Sequence, residues 1–194
     1  MTMGIAAEHC ILVLLAAGRS ERFGDTDKLK QPFLGKPLAF HVVTALESVP
    51  FKARLAVCSG SDLDFGRCGY RVIHNDDPGD GMSGSVKLGV AAAREIGCAA
   101  VVIVLADMPR VTATHVYRLL EAVTGPDAVI ASSNGVYPSP PAVFGADQFD
   151  ALLTLEGDEG ARAMVRAGRH VIAPEADLLD IDRPEDMERL RALR

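Results

Sequence analysis

The sequence predicts a three-layer α/β/α domain around a mostly parallel sheet, and three observations carry that reading. Two apolar runs, Cys10–Ala17 and Cys98–Ala106, lack polar alternation, as strands covered on both faces do. Strand-like and helix-like segments alternate along the chain. No linker or repeat interrupts its 194 residues, a length suited to one domain (1–194) with a substantial core.

The elements follow in order. Cys10–Ala17 is the first buried strand. Pro37 opens a helix whose Leu38, His41, Val42, Ala45 and Leu46 recur at helical spacing. "ARLAVCS" (53–59) and "YRVIH" (70–74) read as short strands. The loop "NDDPGDGMSG" leads into a helix from about Ser85 to Ile96. The second buried strand ends at "DMP", where Pro109 stops it. A helix near Thr114–Val123 precedes the strand "AVIAS" (128–132), and "YPSPPAVF" reads as a proline-rich connection. Helices around Asp147–Leu155 and Glu159–Ala167, strands "HVIA" and "LLDI", and a final helix started by Pro184 complete the chain.

Composition excludes several classes. With 48% hydrophobic and 24% charged residues the chain is globular, and a net charge of −6 argues against non-specific nucleic-acid binding. Nothing approaches the ~18 apolar residues of a membrane helix. The first residues make a poor signal peptide, so a cytoplasmic protein is expected. The four cysteines have neither C-x-x-C nor zinc-like spacing, and the reading is free thiols in a reducing compartment.

In parallel sheets ligands gather beyond the carboxyl ends of the strands, and both buried strands place notable residues there. After the first come Gly18, Arg19, Ser20, Arg22, Gly24 and Lys28. Glycine lets backbone N–H groups approach an anion, and Arg and Lys attract a polyphosphate. The spacing fits neither G-x-G-x-x-G nor the Walker loop. At the end of the second, Asp107 can hold a hard cation bridging phosphates, or simply form a turn before Pro109. Asp182, in D-x-P-E, suits a helix N-cap or a second metal contact, with Asp180 as the substitute.

The loop pattern L-x-x-G-x-S-x-R-x-G followed by Lys, here Leu15 to Gly24 and Lys28, resembles that of nucleotidyltransferases of the molybdenum-cofactor type. The resemblance continues through "KLKQPFLGKPLAFHV", "GDGMSGSVKLGVAAA", "VIVLADMPRVT", "LEGDEGARAMV" and "DIDRPEDMERL", nearly the whole chain. It implies a Rossmann-like fold of the nucleotide-diphospho-sugar transferase type and a Mg²⁺-dependent transfer of CMP from CTP to the terminal phosphate of molybdopterin, releasing pyrophosphate. It assigns Lys28, Arg22 and Asp107 to catalysis, and Leu15, Ala16, Ala17, Gly18, Arg19, Ser20, Arg22, Lys28, Gly81, Ser83 and Ser85 to the nucleotide. Ser83 also suits a helix N-cap. Asp158, Gly160 and Arg162 fall to the acceptor, although capping by Asp158 with surface arginines explains the same residues. Asp107 and Asp182 fall to the metal. The product's partner would be a molybdoenzyme or its insertion chaperone.

Guanylyl-transferring relatives tend to carry two glycines where this chain has Ala16, Ala17 and Gly18, so Ala17 points to CTP. Lys28 is expected on an exposed loop, its removal leaving thermal stability nearly unchanged. The alternatives are guanylyl transfer, transfer to a sugar or polyol phosphate, and a non-catalytic cofactor chaperone.

Overall fold

The computed structural model describes residues 4–18, 23, 27–60, 62–77, 79, 81–157 and 161–193. Strands β1 (Cys10–Ala16), β4 (Ala53–Cys58), β5 (Arg71–His74), β6 (Ala100–Leu105), β7 (Val129–Ser133), β8 (Pro138–Gly145) and β9 (Arg169–Ile172) form one sheet in the order β5-β4-β1-β6-β8-β7-β9. A separate hairpin pairs β2 (Pro32–Phe33) with β3 (Lys36–Pro37). Only β8 runs against its neighbours in the large sheet; all its other pairings are parallel. The sheet and its flanking helices are those of the Rossmann-like fold of nucleotide-diphospho-sugar transferases.

The alternation along β1 explains the layers. Cys10, Leu12, Leu14 and Ala16 pack with Val42, Val43 and Leu46 of α1 (Ala39–Ala45) and its end, and with Val116, Leu119 and Leu120 of α3 (Ala113–Glu121). Ile11, Val13 and Leu15 face the opposite layer. There they meet Val86, Val90 and Ala93 of α2 (Gly81–Ile96), Phe149 and Leu152 of α4 (Phe149–Leu153), and Val165 of α5 (Arg162–Ala167). Because both faces are covered, every β1 residue is buried, as an unbroken apolar run requires. Gly89 lets α2 press onto this strand: a Cβ there would overlap the Val13 side chain.

From β1 the chain moves to β4 and then β5 on one side, then crosses to β6 on the other, which makes the β1/β6 boundary a topological switch point. A third apolar cluster of Phe33, Leu38, Leu179, Ile181, Met187 and Leu190 seats α6 (Pro184–Ala192) beside the hairpin. No helix among the described residues is long and apolar enough to cross a membrane.

Several expectations need correction. "YPSPPAVF" contains a strand, with Ala142–Gly145 pairing β6 and its proline-bearing half meeting only β7, across an irregularity at Ala131/Ser132. The prolines therefore stand where β6 asks for no N–H. "LLDI" forms no ladder among the described residues; Leu179 and Ile181 are buried by the third cluster instead. Pro37 belongs to the small hairpin rather than opening α1, and α2 begins at Gly81 rather than near Ser85.

Candidate active site

The ends of β1 and β6 are tied together, Ala106 N–H donating to Leu15 O at 3.0 Å. Beyond β1, Ala17 is half-buried and Gly18 exposed, with open space where a Gly18 side chain would stand. Beyond β6, Asp107 is fixed from two sides. Met108 is buried beside it, and Ile181 N–H donates to the Asp107 carbonyl at 3.0 Å. That bond carries the segment before α6 to the strand end and so delivers Asp182. The Asp186 carboxylate in the first turn of α6 accepts from the N–H groups of Asp182 (3.1 Å) and Arg183 (2.9 Å). The N-cap is thus Arg183 and not Asp182, whose side chain is left for other work.

Lys28 opens a 3-10 turn, Lys28–Lys30, capped by the Asp27 side chain, which accepts from Leu29 N–H at 2.9 Å. Leu29 anchors the turn in the first core cluster. The Lys28 ammonium donates to Asp107 Oδ2 at 2.6 Å and to Asp182 Oδ1 at 2.8 Å. The expectation of an exposed lysine is therefore overturned: Lys28 is only 7% exposed, because two carboxylates from distant segments close over it. Their sequence separations, 79 and 154 residues, leave no local pattern that could announce the cluster.

Burial works against both charges of the Lys28–Asp107 pair. For Lys28 it is the largest influence and pulls the ammonium down, but Asp107 and then Asp182 outweigh it and hold the group above the ordinary lysine value. For Asp107, burial pushes the carboxyl above the usual carboxylate range, and Lys28 only partly reverses this. Asp180 is likewise raised, first by burial and then by Asp107 and Asp182.

Asp107 Oδ1 is buried and has no hydrogen-bond partner. A small divalent cation typically takes one or two carboxylates and completes its shell with water and substrate phosphates. Asp107 and Asp182, with this unused oxygen, fit such an ion. No cluster of three or more His, Cys, Asp or Glu suited to a metal occurs among the described residues, so a closed all-protein cage is not what this edge offers.

The remaining expected residues have different placements. The side chains of Leu15 and Ala16 are buried in the sheet, leaving their backbone to any ligand. Ser83 lies inside α2, not at its cap, and its hydroxyl donates to the Gly157 carbonyl, while Ser85 Oγ accepts from Asn75 Nδ2 at 3.0 Å. Both serines are buried, so their hydroxyls hold neighbouring loops. Gly81 takes φ +62° at the start of α2, a conformation that favours glycine. Arg162 is exposed at the first position of α5. Arg19, Ser20, Arg22, Asp158 and Gly160 lie outside the described residues. All four cysteines are free, with burial pushing Cys10 up to about 12 and Cys58 up to about 11.

A family model described as the MobA-like NTP transferase domain matches residues 12–172. The chain is 30% identical over 200 residues to the purine catabolism protein PucB of Bacillus subtilis, covering 94% of this chain and 96% of that one. It is 31% identical over 187 residues to a molybdenum cofactor guanylyltransferase of Cereibacter sphaeroides, covering 93% and 95%. The crystal structure of a homolog of Mycobacterium tuberculosis Rv0371c, from Mycobacterium sp. strain JC1, matches with a TM-score of 0.81 at 28% identity, covering 97% and 98%. The chain belongs to the MobA-like NTP transferase domain family.

Proposed function

We propose that this MobA-like chain transfers a nucleotidyl group from a nucleoside triphosphate, CTP in the first instance, to the terminal phosphate of a molybdopterin cofactor. An acceptor phosphate oxygen forms a bond to the α-phosphorus, the bond from that phosphorus to its bridging oxygen breaks, and pyrophosphate leaves. The observation that carries the reading is the Lys28–Asp107–Asp182 cluster at the switch point of the sheet. Transfer of this kind asks the protein for alignment and charge stabilisation more than covalent chemistry.

Asp107 and Asp182 would hold Mg²⁺, which when bound draws charge from the phosphate oxygens. Lys28, with Arg22, would offset the triphosphate charge, and the backbone at Leu15–Gly18 with Arg19 and Ser20 would wrap it. Gly81, Ser83 and Ser85 would face the base through their backbone while the serine hydroxyls keep their internal partners. Asp158, Gly160 and Arg162 would meet the acceptor, and a molybdoenzyme or its insertion chaperone would take the product.

CTP is favoured by Ala17, a half-buried residue whose methyl would narrow the place where a glycine would leave room for a purine. GTP is a second reading because one relative of 31% identity is named a guanylyltransferase. The test is incubation with Mg²⁺, molybdenum-loaded molybdopterin and each nucleotide in turn, reading cofactor product and pyrophosphate. A CMP-bearing product supports the first reading and a GMP-bearing product the second. No product with any nucleotide refutes both.

A further inference from the structure

The lysine that a polyphosphate would attract is engaged by the very oxygens that fit a metal. Its ammonium stands 2.6 Å from Asp107 Oδ2 and 2.8 Å from Asp182 Oδ1, bridging the two as a small cation would. An ion and an ammonium cannot both stand between these two oxygens, since a hard cation needs to approach each to about 2.0–2.6 Å. Lys28 is built to be there. Its turn is capped by Asp27 and pinned by Leu29, and the side chain is buried rather than left to sample solvent. Asp107 is equally fixed, through Ile181 and Met108.

The geometry points to Lys28 as an internal counter-ion that excludes a divalent cation from Asp107 and Asp182 until the phosphates of a nucleotide draw the ammonium away. Metal loading then depends on nucleotide loading, so the carboxylates take up a metal only when there is a phosphate for it to act on. The releasing ligand rests on the nucleotidyl-transfer reading; the exclusion of metal by Lys28 does not. Asp107 Oδ1, buried and without a hydrogen-bond partner, is a further oxygen available to the cation once the ammonium has left.

The first experiment titrates Mn²⁺ into protein without nucleotide or acceptor, following free Mn²⁺ by electron paramagnetic resonance. Lys28→Met should bind Mn²⁺ more tightly than the unmodified chain by on the order of tenfold or more, the usual scale of coupling between two competing ligands. Lys30→Met should bind like the unmodified chain, because Lys30 pairs with Asp62 on the surface. Equal affinity in Lys28→Met and the unmodified chain overturns the proposal, and so does an equal gain in Lys30→Met.

A second measurement needs no variant. In protein carrying ¹⁵N-lysine, the Lys28 ammonium resonance should stay in place with millimolar Mg²⁺ alone and move when Mg²⁺ and CTP are added together. Movement with Mg²⁺ alone, or none with both, overturns the proposal. Neither experiment reads turnover. A chain that forms no cofactor product but excludes Mn²⁺ through Lys28 would refute the transfer reading and leave the exclusion standing.

Discussion

The carboxyl edge of the sheet has two halves, and they are built from opposite materials. At the ends of β1 and β6, Lys28, Asp107 and Asp182 form a charged cluster in which Lys28 and Asp107 are largely withdrawn from water and Asp182 is half-exposed. At the ends of β7 and β9, where Ser133 pairs both Pro138 and Ile172, the exposed side chains are apolar: Val136 is 70%, Tyr137 72% and Ile172 54% exposed. The polar groups of this second half serve its own backbone. Asn134 Oδ1 accepts from the N–H groups of Val136 (2.9 Å) and Tyr137 (2.8 Å), and Ser133 Oγ accepts from Gly135 N–H at 3.1 Å. Beneath them His115 Nε2 lies 2.7 Å from Ser132 Oγ, which donates to the Pro141 carbonyl at 2.7 Å.

Desolvating charges is expensive, and a buried ion pair is weak evidence of a device for stability. The first half bears that cost where phosphate chemistry is proposed; the second presents shape and apolar surface. The contrast leads us to expect charge recognition at the first half of the edge and an apolar contact, beside the proposed acceptor residues, at the second.

The largest effect that would sharpen this contrast is loss of the buried cation. Lys28→Ala strands two facing carboxylates, and the stability lost should be about 3 kcal/mol, at the low end for breaking a buried pair because Asp182 is 44% exposed. The pH dependence has a definite sign. Lys28 is held above its ordinary value, so its contribution is complete below about pH 10.5 and fades only as pH climbs through the raised value. On acidification the stranded carboxylates take up protons and the variant should recover towards the unmodified chain. Urea titrations at several pH values measure both limbs. A variant as stable as the parent at pH 7 would break the account of the first half.

Next is Gly89→Ala, which forces a methyl group against Val13 where α2 supports β1. Overpacking of this kind costs about 1–3 kcal/mol, and calorimetry should show a lowered Tm. Smaller still is Ala17→Gly, which should narrow the preference for CTP over GTP in kcat/KM by roughly tenfold, at the low end of what a methyl contact provides. The smallest effect on stability belongs to the second half. Tyr137→Ala should change the unfolding free energy by no more than ~0.5 kcal/mol, as an exposed substitution does. Its signature should be a raised KM for the acceptor with kcat unchanged. A fall in CTP affinity instead would erase the division between the halves.

What could be read from the chain follows the same division between local and distant causes. The runs at Cys10–Ala17 and Cys98–Ala106 announced the central strands because burial on both faces leaves its mark in consecutive residues. The end of the second run placed Asp107 correctly, since a strand that meets Pro109 must stop. β8 was hidden because its prolines oppose an irregularity in β7, a fact set by the partner strand. Leu179 and Ile181 alternate as a strand would, but α6 and the hairpin bury them without a ladder. The burial of Lys28 was illegible for the same reason: the residues that enclose it arrive from β6 and from the approach to α6, and nothing in "FGDTDK" records them.

The most direct test of the central claim, that phosphoryl chemistry takes place where β1 and β6 end, is pyrophosphate release by Asp107→Asn under saturating nucleotide, acceptor and Mg²⁺. The substitution keeps the shape of the side chain and removes the charge nearest Lys28. The account predicts a fall in kcat of roughly 10²–10³-fold, the scale on which loss of one electrostatic contact to a transition state is felt. A kcat close to that of the unmodified chain would contradict it.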